Sequence, residues 1–262
     1  VAGIGIYVPS GLGAAWKGDD FKLVTNGTSY LLESRVGMIT IAPAASYKIN
    51  DMFSVGVTLN INYGMFSIKR WAGISNITGY GELDLGQFDE SLNGWGIGAT
   101  FGALFKPNDQ FSFGLTIRTP SKLNLGGTVN IQNIDLIGAN FKNESKATMD
   151  VTMPWWIAAG VAYRPMKDLV ITGDLQWSQW SKIQQLVTNY EDQYWDLLMT
   201  GSGENVIPMR WKNALQIRVG AEYMLYQSMA LRAGYYYDPH PVPVRPMNVL
   251  LPGVRLMVLA CV

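Results

Sequence analysis

Phe53-Ser54-Val55-Gly56-Val57-Thr58-Leu59-Asn60-Ile61-Asn62-Tyr63-Gly64-Met65 alternates without a fault, apolar at every odd position and small or polar at every even one. Successive side chains of a strand point to opposite faces, so this stretch is a strand with one greasy side. Its length sets the environment. A soluble strand usually runs about five or six residues, whereas one crossing a bilayer at a tilt needs about nine to eleven. Such a strand faces lipid on one side and a polar lumen on the other. The stretch therefore predicts a membrane barrel.

The pattern recurs. Trp95, Ile97, Ala99, Phe101, Ala103 and Phe105 alternate with Gly96, Gly98, Thr100 and Gly102, and Phe111, Phe113, Leu115 and Ile117 with Ser112, Gly114, Thr116 and Arg118. Later, Leu215, Ile217, Val219, Ala221 and Tyr223 oppose Gln216, Arg218, Gly220 and Glu222. A soluble sandwich would put its charges on the outer face and its bulky residues inside. Here the charges share a face with glycines and small polar residues, as a lumen lining would.

Composition agrees. Over 262 residues the net charge is +0, with 15% charged and 12% aromatic residues, so the chain lacks the charge that keeps soluble domains in solution and the basic footprint that nucleic acid requires. No apolar run approaches the roughly eighteen residues of a spanning helix. Cys261 is the only cysteine and His240 the only histidine, which leaves no intrachain disulfide and no cysteine or histidine cluster for a metal. We expect no catalytic residue, no metal and no cofactor.

Two classes of connection alternate. Tyr47–Asp51, Lys106–Gln110, Arg164–Asp168 and Met224–Ser228 read as tight turns, mostly built from Asn, Asp and Pro, while Pro9–Glu33, Trp71–Asn93, Thr119–Lys146, Ser181–Arg210 and Pro239–Pro252 read as long loops. Short turns on one rim and long loops on the other are the outer-membrane barrel pattern. About ten strands are predicted, at 2–8, 35–47, 52–70, 94–106, 110–118, 147–163, 169–180, 211–224, 229–238 and 254–261. Tyr47, Tyr163, Tyr223 and Tyr226 fall at the short-turn rim and Trp71, Trp95, Trp155, Trp177, Trp180 and Trp211 at the other, as interfacial girdles. The chain opens inside one strand and closes inside another, so we expect residues 1–262 to be a single barrel domain that is part of a longer precursor.

Parity puts Arg70, Arg118, Asp174, Arg218, Glu222 and Arg232 on the lumen face, where a ladder of ion pairs is one reading. Arg70, within Phe66-Ser67-Ile68-Lys69-Arg70-Trp71, has another: a cation beside aromatic surface can hold an acid head group. Two long loops are apolar, one with Leu123, Leu125, Val129, Ile131 and Ile134, the other with Tyr190, Tyr194, Trp195 and Met199. Such clusters read either as ligand surface or as loop packing.

Several segments in this order resemble one family: Pro9-Ser10-Gly11-Leu12-Gly13 with Trp16, Tyr47 to Val55, Phe66 to Gly73, Asn93-Gly94-Trp95-Gly96, Met153-Pro154, Trp180 to Leu186, Trp211-Lys212-Asn213 with Arg218 to Tyr223, and Asp238-Pro239-His240-Pro241-Val242-Pro243. The chain resembles the FadL family of outer-membrane channels for long-chain fatty acids and for aromatic or aliphatic hydrocarbons. The resemblance implies an all-β fold, a transmembrane antiparallel β-barrel of fourteen strands with an N-terminal hatch, of which this chain is similar to the third to twelfth strands. It implies passive uptake across the outer membrane of a Gram-negative bacterium: loop capture, lumen binding and sideways release at a kinked strand. The kink would fall at Gly3, Gly5 and Pro9. Substrate-binding candidates are Phe66, Arg70, Trp71, Arg118, Trp156, Trp180 and Tyr236; where fatty-acid members carry a second basic residue, this chain has Val187. The expected partners are a hydrophobic small molecule and outer-membrane lipid, with no nucleic acid, and the expected state is a monomer. A structural or enzymatic barrel, or a general porin, is the alternative.

Overall fold

The computed structural model describes residues 1–77, 81–226, 229–243 and 256–261. One continuous antiparallel sheet of fourteen strands dominates it. β1 (Ala2–Trp16), β2 (Leu32–Lys48) and β3 (Phe53–Trp71) pair in succession, a hairpin of β4 (Ile74–Ile77) and β5 (Gly81–Asp84) follows, and β6 (Gln87–Phe105) pairs back onto β3. From there the staves are split. β7 (Phe111–Arg118) and β8 (Ser121–Ile131) both pair with β6, β9 (Glu144–Met153) lies beside β8, and β10 (Trp156–Met166) beside β7. β11 (Leu169–Ser178) continues past a short 3-10 turn into β12 (Gln185–Tyr190), and β13 (Val206–Pro208) leads into β14 (Ala214–Tyr226). β15 (Met229–Asp238) and β16 (Leu256–Cys261) complete the order. Joined end to end, these strands make ten long staves. No helix among the described residues is long and apolar enough to cross a membrane; the chain crosses with strands.

Facing follows the alternation. β3 and β6 pair odd with odd along their whole length, Val57 opposite Phe101 and Leu59 opposite Ala99. Val55, Val57 and Leu59 are exposed to between 42% and 46%, while Asn60 and Asn62 are buried. The inward asparagines are held by polar neighbours: Asn62 accepts from Thr40 Oγ1 at 2.7 Å and donates to Ser121 Oγ at 2.8 Å, and Asn60 donates to Thr100 Oγ1 at 2.7 Å. At the short-turn rim Phe53 stacks on Phe105 (4.5 Å) and Phe111 on Tyr163 (4.7 Å). The turns there are Asx turns, with Asn50 Oδ1 accepting from Met52 and Phe53 N–H and Asn108 Oδ1 from Gln110 and Phe111 N–H.

Several of the long connections carry strand among the described residues: β4, β5 and the start of β6 fall in 71–93, and β8 and the start of β9 in 119–146, so these staves extend beyond the predicted strand ends. The predicted strand 147–163 is two strands, broken at Pro154, and 110–118 resumes as β8 after Pro120. Proline donates no ladder bond, and at both breaks the inward parity switches, from even in β7 and β10 to odd in β8 and β9. Thr119 mends one gap, its hydroxyl accepting from Ala99 N–H at 2.9 Å. The switch turns Leu123, Leu125, Val129, Ile131, Ala147 and Met149 inward, so the apolar residues of that supposed loop are core.

The second apolar loop contains α1 (Gln193–Ser202), capped by Asp192, whose side chain accepts from Tyr194 and Trp195 N–H, and ended by Gly203 at φ 76°. Trp195 is fully buried and donates Nε1–H to Lys142 O at 2.7 Å. Together these elements cap the long-loop end of the sheet. The turn residues 227–228, the loop beyond 243 and the start of the strand predicted at 254–261 lie outside the described residues.

Candidate hydrophobic binding site

Beneath the cap lies a cavity of about 380 Å³. Met38, Phe66, Leu123, Leu125, Ile183 and Leu186 give it an apolar roof and wall. The leucines enter because β3 has a glycine beneath them: a Cβ on Gly64 would stand 3.0 Å from Leu123 Cδ1 and 3.2 Å from Leu125 Cδ2. Three indoles face the space from neighbouring staves. The Trp180 ring centroid is 6.0 Å from that of Trp156 and 5.2 Å from that of Trp211, the latter edge-on, a tilted arrangement that aromatic quadrupoles favour.

The floor is polar. Gln176, Gln216 and Asp238 line it. Gln216 Nε2 donates to Asp238 Oδ1 at 2.7 Å and the Tyr236 hydroxyl donates to Asp238 Oδ2 at 2.8 Å. Arg218 lies beside this group, over the Tyr236 ring, and donates to Asp174 (3.1 Å) and to the side-chain oxygens of Gln216 (3.0 Å) and Gln176 (3.4 Å). The Asp174–Arg218 pair and the neighbouring Glu222–Arg232 pair, at 2.5 Å, form the ion-pair ladder that lumen parity suggests.

The structure divides the candidate residues. Phe66, Trp156, Trp180 and Pro9 line the cavity. Arg118 stands to one side, stacked over Trp156 at 4.8 Å and donating across the lumen to the Tyr7 hydroxyl at 3.1 Å, while Tyr236 acts through Asp238 in the floor. Arg70 is in the cap and outside the lining; its guanidinium lies 2.6 Å from Glu204 and over the Phe88 ring. Trp71 donates Nε1–H to Asp84 at 2.8 Å, and Tyr30 donates to the same carboxylate. Burial works to raise the Asp84 carboxyl, but the bonds from Tyr30, Trp71 and Gly86 N–H prevail and hold it below the usual range.

β1 carries a register shift between Tyr7 and Ser10, at Val8 and Pro9. The bulge turns Tyr7 inward below it and Ser10 and Leu12 inward above. Gly3 and Gly5 sit in the regular ladder opposite Ala44 and Ala42. Just above the bulge Gly11 pairs with Gly37, and both border the cavity.

Sequence reasoning missed Met38, Gln216 and His240 as part of the site; it gave Trp180 both as a binding candidate and as a girdle residue, and placed Trp211 in the girdle alone. Both indoles point inward because each follows the end of a strand. Ser178, Asp238 and His240 also share the wall. Among the described residues no hydrogen bond links the three: Ser178 donates to Ala214 O, and His240 Nδ1 faces Val242 O at 2.7 Å. The arrangement has no proton relay.

A sequence profile of the outer membrane protein transport proteins (OMPP1/FadL/TodX) matches residues 1–259. The chain belongs to this family. The OMPP1/FadL/TodX chain is 22% identical over 248 residues to the long-chain fatty acid transport protein of Escherichia coli K12, covering 80% of this chain and 52% of that protein. It is 21% identical over 224 residues to outer membrane protein P1 of Haemophilus influenzae, covering 76% and 46%. It spans about half the length of these curated relatives. Among solved structures, a FadL homologue of Pseudomonas aeruginosa superposes with a TM-score of 0.77 at 18% identity, over 96% of this chain and 59% of that one. The toluene transporter TodX of Pseudomonas putida gives 0.73 at 18% identity, over 99% and 68%. These likenesses establish a β-barrel fold in an outer-membrane family.

Proposed function

We propose that this protein is a passive outer-membrane channel for hydrophobic small molecules, long-chain fatty acids or hydrocarbons, and not an enzyme. The observation that carries the reading is an apolar, tryptophan-walled cavity inside a sheet whose outer face is also apolar. A water-filled porin would line its constriction with charge. The names of the relatives, a long-chain fatty acid transport protein and a toluene transporter, support the same class.

In this reading the cap captures the solute, the cavity holds it, and it leaves sideways past the bulge at Val8 and Pro9, where the ladder is interrupted and the Gly11–Gly37 pair leaves the wall without side chains. The protein works as a monomer surrounded by outer-membrane lipid, and residues 1–262 form one barrel domain.

Expression in cells stripped of their own hydrophobic channels tests this. Labelled hydrocarbon or fatty acid should enter faster than through the bare membrane, and Ala214→Phe, which fills the wall, should reduce the gain. Entry no faster than in cells without the protein refutes the proposal.

A further inference from the structure

We infer that the cavity selects an uncharged hydrophobic molecule bearing a hydrogen-bond donor, an alkyl or aryl alcohol, over the carboxylate of a fatty acid, with Asp238 and His240 as the selecting residues. The inference rests on the cavity being the binding site proposed above. An apolar wall takes the hydrocarbon part of an acid, an alcohol or an alkane alike, so the polar end decides between them.

Among the described residues that line the cavity there is no lysine or arginine, and the one carboxylate is Asp238. Arg218, the nearest cation to the floor, already donates to Asp174, Gln216 and Gln176. Arg70, which could have received an acid head group, is bound to Glu204 in the cap. Among the described residues, a carboxylate in this cavity would lose its hydration, meet no cation in the lining and face the Asp238 carboxylate.

Two polar groups at the floor keep acceptor capacity. Each Asp238 oxygen receives one bond, from Gln216 and from Tyr236, and a carboxylate has capacity for about four. His240 Nδ1 lies 2.7 Å from Val242 O, an atom that only accepts, so Nδ1 carries a proton, and in the tautomer with that proton alone Nε2 is an acceptor. Both residues sit on the cavity wall. A hydroxyl has the proton that both can take.

The test titrates the protein in lipid nanodiscs with decane, 1-decanol and decanoate by calorimetry at about pH 8. 1-Decanol should bind about five- to tenfold tighter than decane, the scale of one net hydrogen bond, and decanoate weaker than decane. His240→Leu should shrink the preference for decanol over decane, and Asp238→Asn should raise decanoate relative to decane. Should Asp238→Asn fail to assemble, His240→Leu and the wild-type series still decide. Decanoate binding as tightly as decanol, or decanol no tighter than decane, overturns the inference and leaves the binding site standing. Saturable binding of none of the three overturns the proposed site itself.

Discussion

The Arg70 guanidinium lies 2.6 Å from the Glu204 carboxylate, joining the end of β3 to the segment between α1 and β13 across 134 positions of sequence. Arg70 also covers the Phe88 ring and donates to Trp71 O at 3.2 Å. It is a strap on the cap. Glu204 is half exposed, so the pair is worth at most about 1 kcal/mol. Arg70→Ala and Glu204→Gln should each speed amide exchange around residues 203–208, and the double variant should add little to Arg70→Ala. Fully additive effects would mean that the two side chains act apart.

Glu90 makes the cap sensitive to pH. It is 3% exposed, and burial raises its carboxyl above the usual range despite the bond from Thr188 and the nearby Arg70 charge. The folded form therefore keeps its proton to higher pH than the unfolded chain does. Its contribution is full at pH below an ordinary glutamate and is lost as pH rises through the raised folded value. Glu90→Gln should stabilise the cap by about 1 kcal/mol near neutrality and flatten the fall in its melting temperature as pH rises above the ordinary glutamate range. A pH dependence unchanged in the variant would contradict this.

Close packing against β8 depends on Gly64. Gly64→Val should push Leu123 and Leu125 aside, cost about 1–3 kcal/mol, and narrow the cavity. Thermal melting and solute binding should fall together. A variant with native stability and native binding would show that the leucines give way freely.

Much of the barrel was legible because Asn60 and Asn62, unpaired in lipid, force one face of residues 53–65 inward and so fix the register of β3 on β6. β8 and β9 were not legible. Their apolar residues face a filled interior, and the parity change at Pro120 and Pro154 breaks the alternation by one residue. The helix had its signals in Asp192, in Trp195 with Met199 four residues on, and in Gly203, but apolar residues between strands read as a loop. The site was half legible: Phe66, Trp156 and Trp180 are there, but nothing local says that Arg70 meets a glutamate 134 positions away.

Facing has its own energetic signature. Val57→Arg, near the middle of the belt and exposed on the outer face, should cost about 2–4 kcal/mol in urea unfolding from bilayers. Thr58→Lys, one position along and turned to the lumen, should cost less than half as much. Equal costs would contradict the assigned facing.

The central claim is that a hydrophobic solute binds in the tryptophan-walled cavity and does more than dissolve against the outer wall. The most direct measurement is photolabelling in the membrane with a hydrocarbon bearing a diazirine, with and without excess unlabelled hydrocarbon, and mapping of the modified residues by mass spectrometry. The account predicts labelling at cavity residues such as Met38, Phe66, Met153 and Trp180 that excess solute suppresses. Labelling confined to outward residues such as Val57, Leu59 and Phe101, and indifferent to excess solute, would contradict it.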